Sequence, residues 1–209
     1  MSILVAPVST MTSFAPKIPE GPHSARLISI VDLGTQPNYD PKKAPVKKLK
    51  LTFEFMEVRK TFKEGEPEKP AIRGVSVTKV HGEGSNLYKI LSACNGANLP
   101  LDQPMDPSSY LGKALTIDVS HALSKKGNKY IKFESYTKIP RKPGTDQFRY
   151  DVPEAENPHM VYSIADHPHN WDALMEWDQA EIAESPEYKK KVGQPVIHAD
   201  VEEHDDVSF

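Results

Sequence analysis

Residues 46–58, VKKLKLTFEFMEV, alternate with a period of two: Leu49, Leu51, Phe53 and Phe55 fall on one side, Lys48, Lys50, Thr52 and Glu54 on the other. Successive side chains of a strand point to opposite faces, so this stretch is a strand with one face in a core and the other turned outward. A chain that contains it must build a sheet around it and an apolar layer beneath it. The outward face begins positive and ends in Glu54, and the sequence leaves open what meets it.

The neighbouring segments supply the sheet. Residues 1–18 and the Pro19-Glu20-Gly21-Pro22 turn after them read as a flexible arm. Residues 24–33 form a first strand in which Ile28 and Ile30 oppose Leu27 and Val31, so both faces are covered, as in a long bent strand. Residues 34–45 are a polar loop carrying Tyr39, Lys42 and Lys43, and the strand at 46–58 runs into a basic end with Arg59 and Phe62. After an acidic, proline-bearing loop, residues 72–80 give a third strand, with Arg73 on it and Gly74 as a bulge. Leu87, Ile90, Leu91 and Cys94 then switch to helical spacing, with Ser85 to cap the helix and Gly96 to end it.

Residues 114–121 place Leu115, Ile117 and Val119 on one face of a fourth strand, and Gly127-Asn128 marks a turn. A fifth strand, 129–138, puts Ile131 and Phe133 inward and Tyr130, Lys132, Glu134 and Tyr136 outward. Three strands, a helix and two more strands is the order of a mainly β, five-stranded Greek-key OB barrel. The expected organisation is an arm at 1–18, the barrel at 19–142, an extended segment with C-terminal helices at 143–193, and a disordered acidic tail at 194–209. Within the third part, residues 170–184 read as one helix with Trp171, Leu174, Met175 and Ile182 on a stripe, and Ser185-Pro186 open another.

Charge is divided unevenly along the chain. The net charge of −3 hides 23 Lys and Arg against 14 Asp and Glu in residues 1–150, and 3 against 15 in residues 151–209. Such asymmetry suits a polyanion-binding part joined to an acidic competitor or recruiter. A lone cysteine, Cys94, excludes an internal disulfide and a Cys-rich metal site. His159, His167 and His169 near Asp166 lack the spacing of a metal cage. There is no glycine-rich phosphate loop, Ser-His-Asp order or paired-carboxylate nuclease motif, so the expectation is a non-enzymatic protein without cofactor or metal. Pro7 interrupts the only apolar run near the start and no basic residue precedes Lys17, which argues against a signal or membrane segment and for the cytoplasm.

An OB barrel holds single strands on the outer face of its second and third strands and with the loops between strands one and two and four and five. The basic and aromatic residues fall there: Tyr39, Lys42, Lys43, Lys48, Lys50, Arg59, Phe62, Arg73, Lys125, Lys126, Tyr130 and Lys132. Ammonium groups that track phosphates and rings that stack on bases bind single strands without reading sequence. Glu54 would repel phosphates, so a strand is expected to cross Lys48 and Lys50 and leave before it. Trp171 and Trp177 lie among acidic residues, which favours packing or partner contact over stacking on bases. The tail residues Asp200, Glu202, Glu203, Asp205 and Asp206 imitate a polyanion, and Phe209 adds an apolar anchor beside the terminal carboxylate.

PEGPHSARLISIVDLGTQ, YLGKALTIDVSH followed by KGNKYIKFESY, and WDALMEWDQAEIAESPEYKK resemble the OB-fold single-stranded DNA-binding proteins of tailed bacteriophages over most of residues 19–191. The acidic tail ending in Phe209 resembles that of bacterial single-stranded DNA-binding proteins, except that Ser208 stands where proline usually precedes the last residue. The resemblance implies DNA protection during phage replication or recombination in the host cytoplasm. Its partners would be single-stranded DNA and replication or recombination proteins gripping the tail, with homo-oligomeric or cooperative assembly on DNA left open. A phage structural or scaffolding protein that uses the barrel for protein contacts is the alternative.

Overall fold

A computed structural model of the chain describes residues 18–193, apart from 62–64, 66, 125, 126 and 146. Residues 1–17 of the predicted arm and the acidic tail, with Phe62, Lys125 and Lys126, therefore lie outside the described residues, whereas Ile18, the arm's last residue, belongs to the core. Six strands form one sheet: β1 (Gly21–Gln36), β2 (Val46–Lys60), β3 (Lys69–Thr78), β4 (Ala114–Leu123), β5 (Lys129–Thr137) and the short β6 (Met160–Tyr162). The hydrogen-bonded order is β3-β2-β1-β4-β5, antiparallel throughout, with β6 parallel to β1. β3 and β5 end this path without a ladder between them, so the expected barrel does not close. Side chains reach across: Phe133 of β5 meets Phe53 and Phe55 of β2 with ring centroids 6.2 and 5.8 Å apart.

β1 organises the sheet because it is long and twice irregular. Its first part, from Gly21 to Arg26, pairs with β4; register shifts at Leu27/Ser29 and Asp32/Gly34 bend it, and Ser29–Val31 pair with β6 on the edge that β4 has left. Residues from Ala25 to Val31 are all buried, as both faces of the bent strand predict. The strand begins earlier than expected. Pro22 is tolerated because β2 pairing starts only at Ala25, which leaves that stretch a neighbour on one side alone. Ile18 is fully buried, and its carbonyl lies 2.8 Å from His121 Nε2.

Helix α1 (Asn86–Asn95) starts where Ser85 Oγ accepts from the Tyr88 amide and stops at Gly96, whose φ of 81° is left-handed. It packs against β3, β4 and β5 and closes the main core with Leu87, Ile90 and Leu91 over Leu51, Phe53, Leu115 and Ile117. Two sequence expectations fail locally. Gly74 is not a bulge, since β2 and β3 stay in register from Lys48↔Thr78 to Phe55↔Ala71. Tyr136 turns inward and packs on Phe133, because the ladder passes from Asp118↔Ser135 to Val119↔Phe133 and skips Glu134. Burial pushes its phenol up to about 12.

The segment after residue 150 lies on the outside of the sheet. The expected helix 170–184 divides into a 3-10 turn (Trp171–Ala173), an extended step at Leu174 and Met175, and helix α2 (Glu176–Ala183). The step buries Leu174 and leaves Met175 48% exposed, so the predicted stripe is not continuous. Ser185 and Pro186 begin helix α3 (Pro186–Val192) as the sequence indicates, with Ser185 Oγ accepting from the Tyr188 amide. Leu174 and Ile182 form a second core with Tyr162, Ile164, Val31 and Leu33.

Polar side chains of the sheet fasten this segment. Arg26, 6% exposed, donates to the carbonyls of Gly112, Val152 and Pro153 and to the Glu154 carboxylate. Glu54, fully buried, accepts from the amides of Glu156 and Asn157 and from Asn157 Nδ2 at 2.7–2.9 Å. Glu54→Ala would strand three donors and is expected to lower unfolding stability by about 3 kcal/mol in urea titrations. The exposed Glu57→Ala is expected to change it by less than about 0.5 kcal/mol; equal effects would contradict the clamp.

Candidate nucleic-acid interface

The outward face of β2 is occupied by the chain itself. Lys48 Nζ donates to the Pro37 carbonyl at 2.9 Å. Lys50 Nζ lies 2.6 and 2.7 Å from the two carboxylate oxygens of Asp178 on α2, with the lysine side chain 18% and the aspartate side chain 7% exposed. The same ammonium sits 5.6 Å from the centroid of the Trp177 ring. Glu54 is not a solvent-facing repeller, because Asn157 and the Glu156 amide cover it. A mixed outward face looks the same in sequence whether water or another segment covers it.

Lys50 passes over Gly74 on its way to Asp178. A Cβ at Gly74 would lie 2.7 Å from Lys50 Cε, so the end of the lysine packs over residue 74 where any side chain would make it shift.

At the end of β1 the arrangement differs. Tyr39 is 93% exposed in the loop that joins Gln36 to Val46, and Lys42 and Lys43 beside it are exposed. Lys47, paired in register with Thr35, lines an adjoining cleft of about 410 Å³ with Lys79, Lys190 and Lys191. Two carboxylates temper it: Asp32 holds Lys79 at 2.9 Å, and Glu187 accepts from the Thr35 amide and hydroxyl at 2.9 and 2.6 Å. Burial raises the Glu187 carboxyl, but the Thr35 bonds and nearby Lys47 outweigh it and hold it below the ordinary glutamate value.

The remaining predicted residues lie apart from this cluster. Tyr130, 44% exposed, and Lys132 lie on the β4–β5 hairpin, which runs past the start of β1 and so away from the Tyr39 loop. Lys132 is paired with Glu134 at 2.8 Å, a bond that raises the ammonium and lowers the carboxyl. Arg59, near the far end of β2, forks onto Glu156 and lowers that carboxyl through the bond. Arg73 sits on β3 opposite Phe53, half-buried. Sequence reasoning missed Lys47 of β2, Lys79 just beyond β3, and Lys190 and Lys191 of α3, which are distant in the chain and show no common pattern.

In the histidine-rich stretch, His167 is packed among aromatic rings. The His167 ring sits between Trp171 and Tyr188, with centroids 5.0 and 4.9 Å away, and its Nδ1 is 3.2 Å from the Tyr162 hydroxyl. Trp171 stacks on Tyr188 at 4.9 Å, the packing role its sequence context favours, whereas Trp177 stays 64% exposed. Among the described residues no group of three or more His, Cys, Asp or Glu is arranged to hold a metal ion, and no helix is long and apolar enough to cross a membrane. Burial pushes the Cys94 thiol up to about 12, which leaves it protonated near neutrality.

No protein-family model matches the sequence, and no curated protein matches it either.

Because Lys50 and Asp178 are largely desolvated together, removing either partner strands a buried charge. Lys50→Met and Asp178→Asn are each expected to cost about 3 kcal/mol, with the double variant costing clearly less than their sum. Additive losses in a denaturation cycle would show that the two groups are not coupled.

Proposed function

We propose that this chain is a non-enzymatic, sequence-independent binder of single-stranded DNA that acts in phage DNA replication or recombination. In this reading the sheet is an OB-type barrel, and the acidic C-terminal residues recruit partners and compete with DNA. The strand order supports it: β1 pairs with both β2 and β4, and a helix separates β3 from β4, the connectivity an OB barrel uses.

The observation that carries the reading is Tyr39. A phenol ring 93% exposed contributes almost nothing to folding, yet it stands in a loop with Lys42 and Lys43 and next to the lysine-lined cleft. Rings left in water among ammonium groups suit stacking on bases while the phosphates are neutralised nearby. The DNA path therefore follows the Tyr39 loop and the Lys47–Lys79–Lys190–Lys191 cleft. It differs from the path expected over Lys50, whose charge is already matched by Asp178.

Fluorescence anisotropy with a labelled oligonucleotide tests this. Tyr39→Ala is expected to weaken binding about tenfold, within the ~1–3 kcal/mol that a stacked base contributes. Lys42→Glu with Lys43→Glu is expected to weaken it further and to flatten the dependence of log affinity on log salt by about 1.4, at ~0.7 for each phosphate no longer neutralised. Deleting residues 199–209 is expected to tighten DNA binding and to remove at least one replication-protein contact. Failure to be retained on single-stranded DNA at moderate salt would overturn the reading and favour a barrel used for protein contacts.

A further inference from the structure

Beneath the C-terminal segment lies a cavity of about 650 Å³, bounded by the outer faces of β1, β2 and β3 on one side and by residues 157–178 on the other. Its wall includes the apolar Val31, Ile72 and Met160, with Trp177 and Met175 among its lining residues and largely exposed. Cavities of this size with a few convergent polar groups are the usual form of a small-molecule site.

Two observations indicate what the cavity takes. Ser29, 7% exposed, lines it and its hydroxyl has no hydrogen-bond partner, an arrangement that folding alone leaves uncompensated. Of the charged groups in the wall, Lys50 and Asp178 are paired to each other, which leaves the half-buried Arg73 as the cation that a phosphate flanking the base would meet. The indole of Trp177 is held at the Lys50 ammonium yet remains 64% exposed, which makes it a ready stacking surface. Pairing of Asp178 with Lys50 removes one of the carboxylates whose repulsion of phosphate argued against such a role, while Glu176 beside the tryptophan stays exposed.

We infer that this cavity is a nucleobase pocket: one base turned out of a bound single strand stacks on Trp177, and rotation of the buried Ser29 side chain turns its hydroxyl to hydrogen-bond to that base. The inference rests on the proposed single-strand binding and adds to it a second contact region, separate from the Tyr39 loop. A free nucleotide offers the same heterocycle, and the experiment separates the two sources.

The test uses the full chain with an oligothymidylate and an abasic strand of equal length. Trp177→Ala, which changes an exposed side chain, is expected to weaken oligothymidylate binding five- to tenfold and to leave abasic-strand binding unchanged. Ser29→Ala is expected to weaken the same contact about threefold without lowering the unfolding midpoint, because the hydroxyl it removes is unsatisfied. Ultraviolet cross-linking to oligothymidylate, mapped by mass spectrometry, should mark the peptide containing Met175 and Trp177. Unchanged oligothymidylate affinity in Trp177→Ala, or an equal loss on both strands, would overturn the inference while leaving single-strand binding intact. If the wild type binds neither strand, the single-strand reading fails. A titration with thymidine monophosphate then decides the pocket: saturable quenching of wild-type fluorescence that Trp177→Ala abolishes supports a free-nucleotide site, and no such quenching overturns the pocket.

Discussion

The architecture depends on two opposite charges set side by side on neighbouring strands. Arg26 of β1 and Glu54 of β2 are register partners, and each is buried by the same passing backbone. The guanidinium takes carbonyls at residues 152 and 153, and the carboxylate takes amides at 156 and 157. Irregular chain crossing a sheet face has donors and acceptors that no ladder satisfies. Here a cation supplies the donors and an anion the acceptors, and with that stretch fixed the rest of the segment can lay Leu174 and Ile182 onto Val31 and Leu33.

This explains why so much of the fold was legible in the sequence and why the outer face was not. Local rules sufficed wherever a few neighbouring residues decide the outcome: the alternation of Leu49 to Phe55, the Ser85 cap and Gly96 stop, the Ser185-Pro186 start. They failed where the outcome depended on distant chain. Lys48, Lys50 and Glu54 have the pattern of a solvated face, and nothing near them says that Asp178 or Asn157 will arrive. The inward turn of Tyr136 follows from a skipped residue in the β4–β5 ladder, which periodicity cannot register. The break before α2 needed knowledge of which surface Leu174 would meet.

The candidate site divides in the same manner. Tyr39, Lys42 and Lys43 were legible because an aromatic residue among lysines in a polar loop has few structural uses. The cleft beside them joins strand ends with the last helix and exists only once α3 is docked. Lysines whose amines are taken up by carboxylates, such as Lys50 and Lys132, are indistinguishable by type from those left available. Predicting a polyanion path from basic residues therefore overcounts in proportion to how many serve the fold.

Gly74 has no charge and no side chain, yet it bears on the electrostatics of the face around it. By leaving space for the stem of Lys50 it allows that ammonium to be neutralised by α2 instead of projecting into solvent. An added methyl there would press on Lys50 Cε, and the flexible stem would have to shift to keep its hold on Asp178. The surface potential of this protein is thus encoded partly at a position that any tally of ionisable residues passes over.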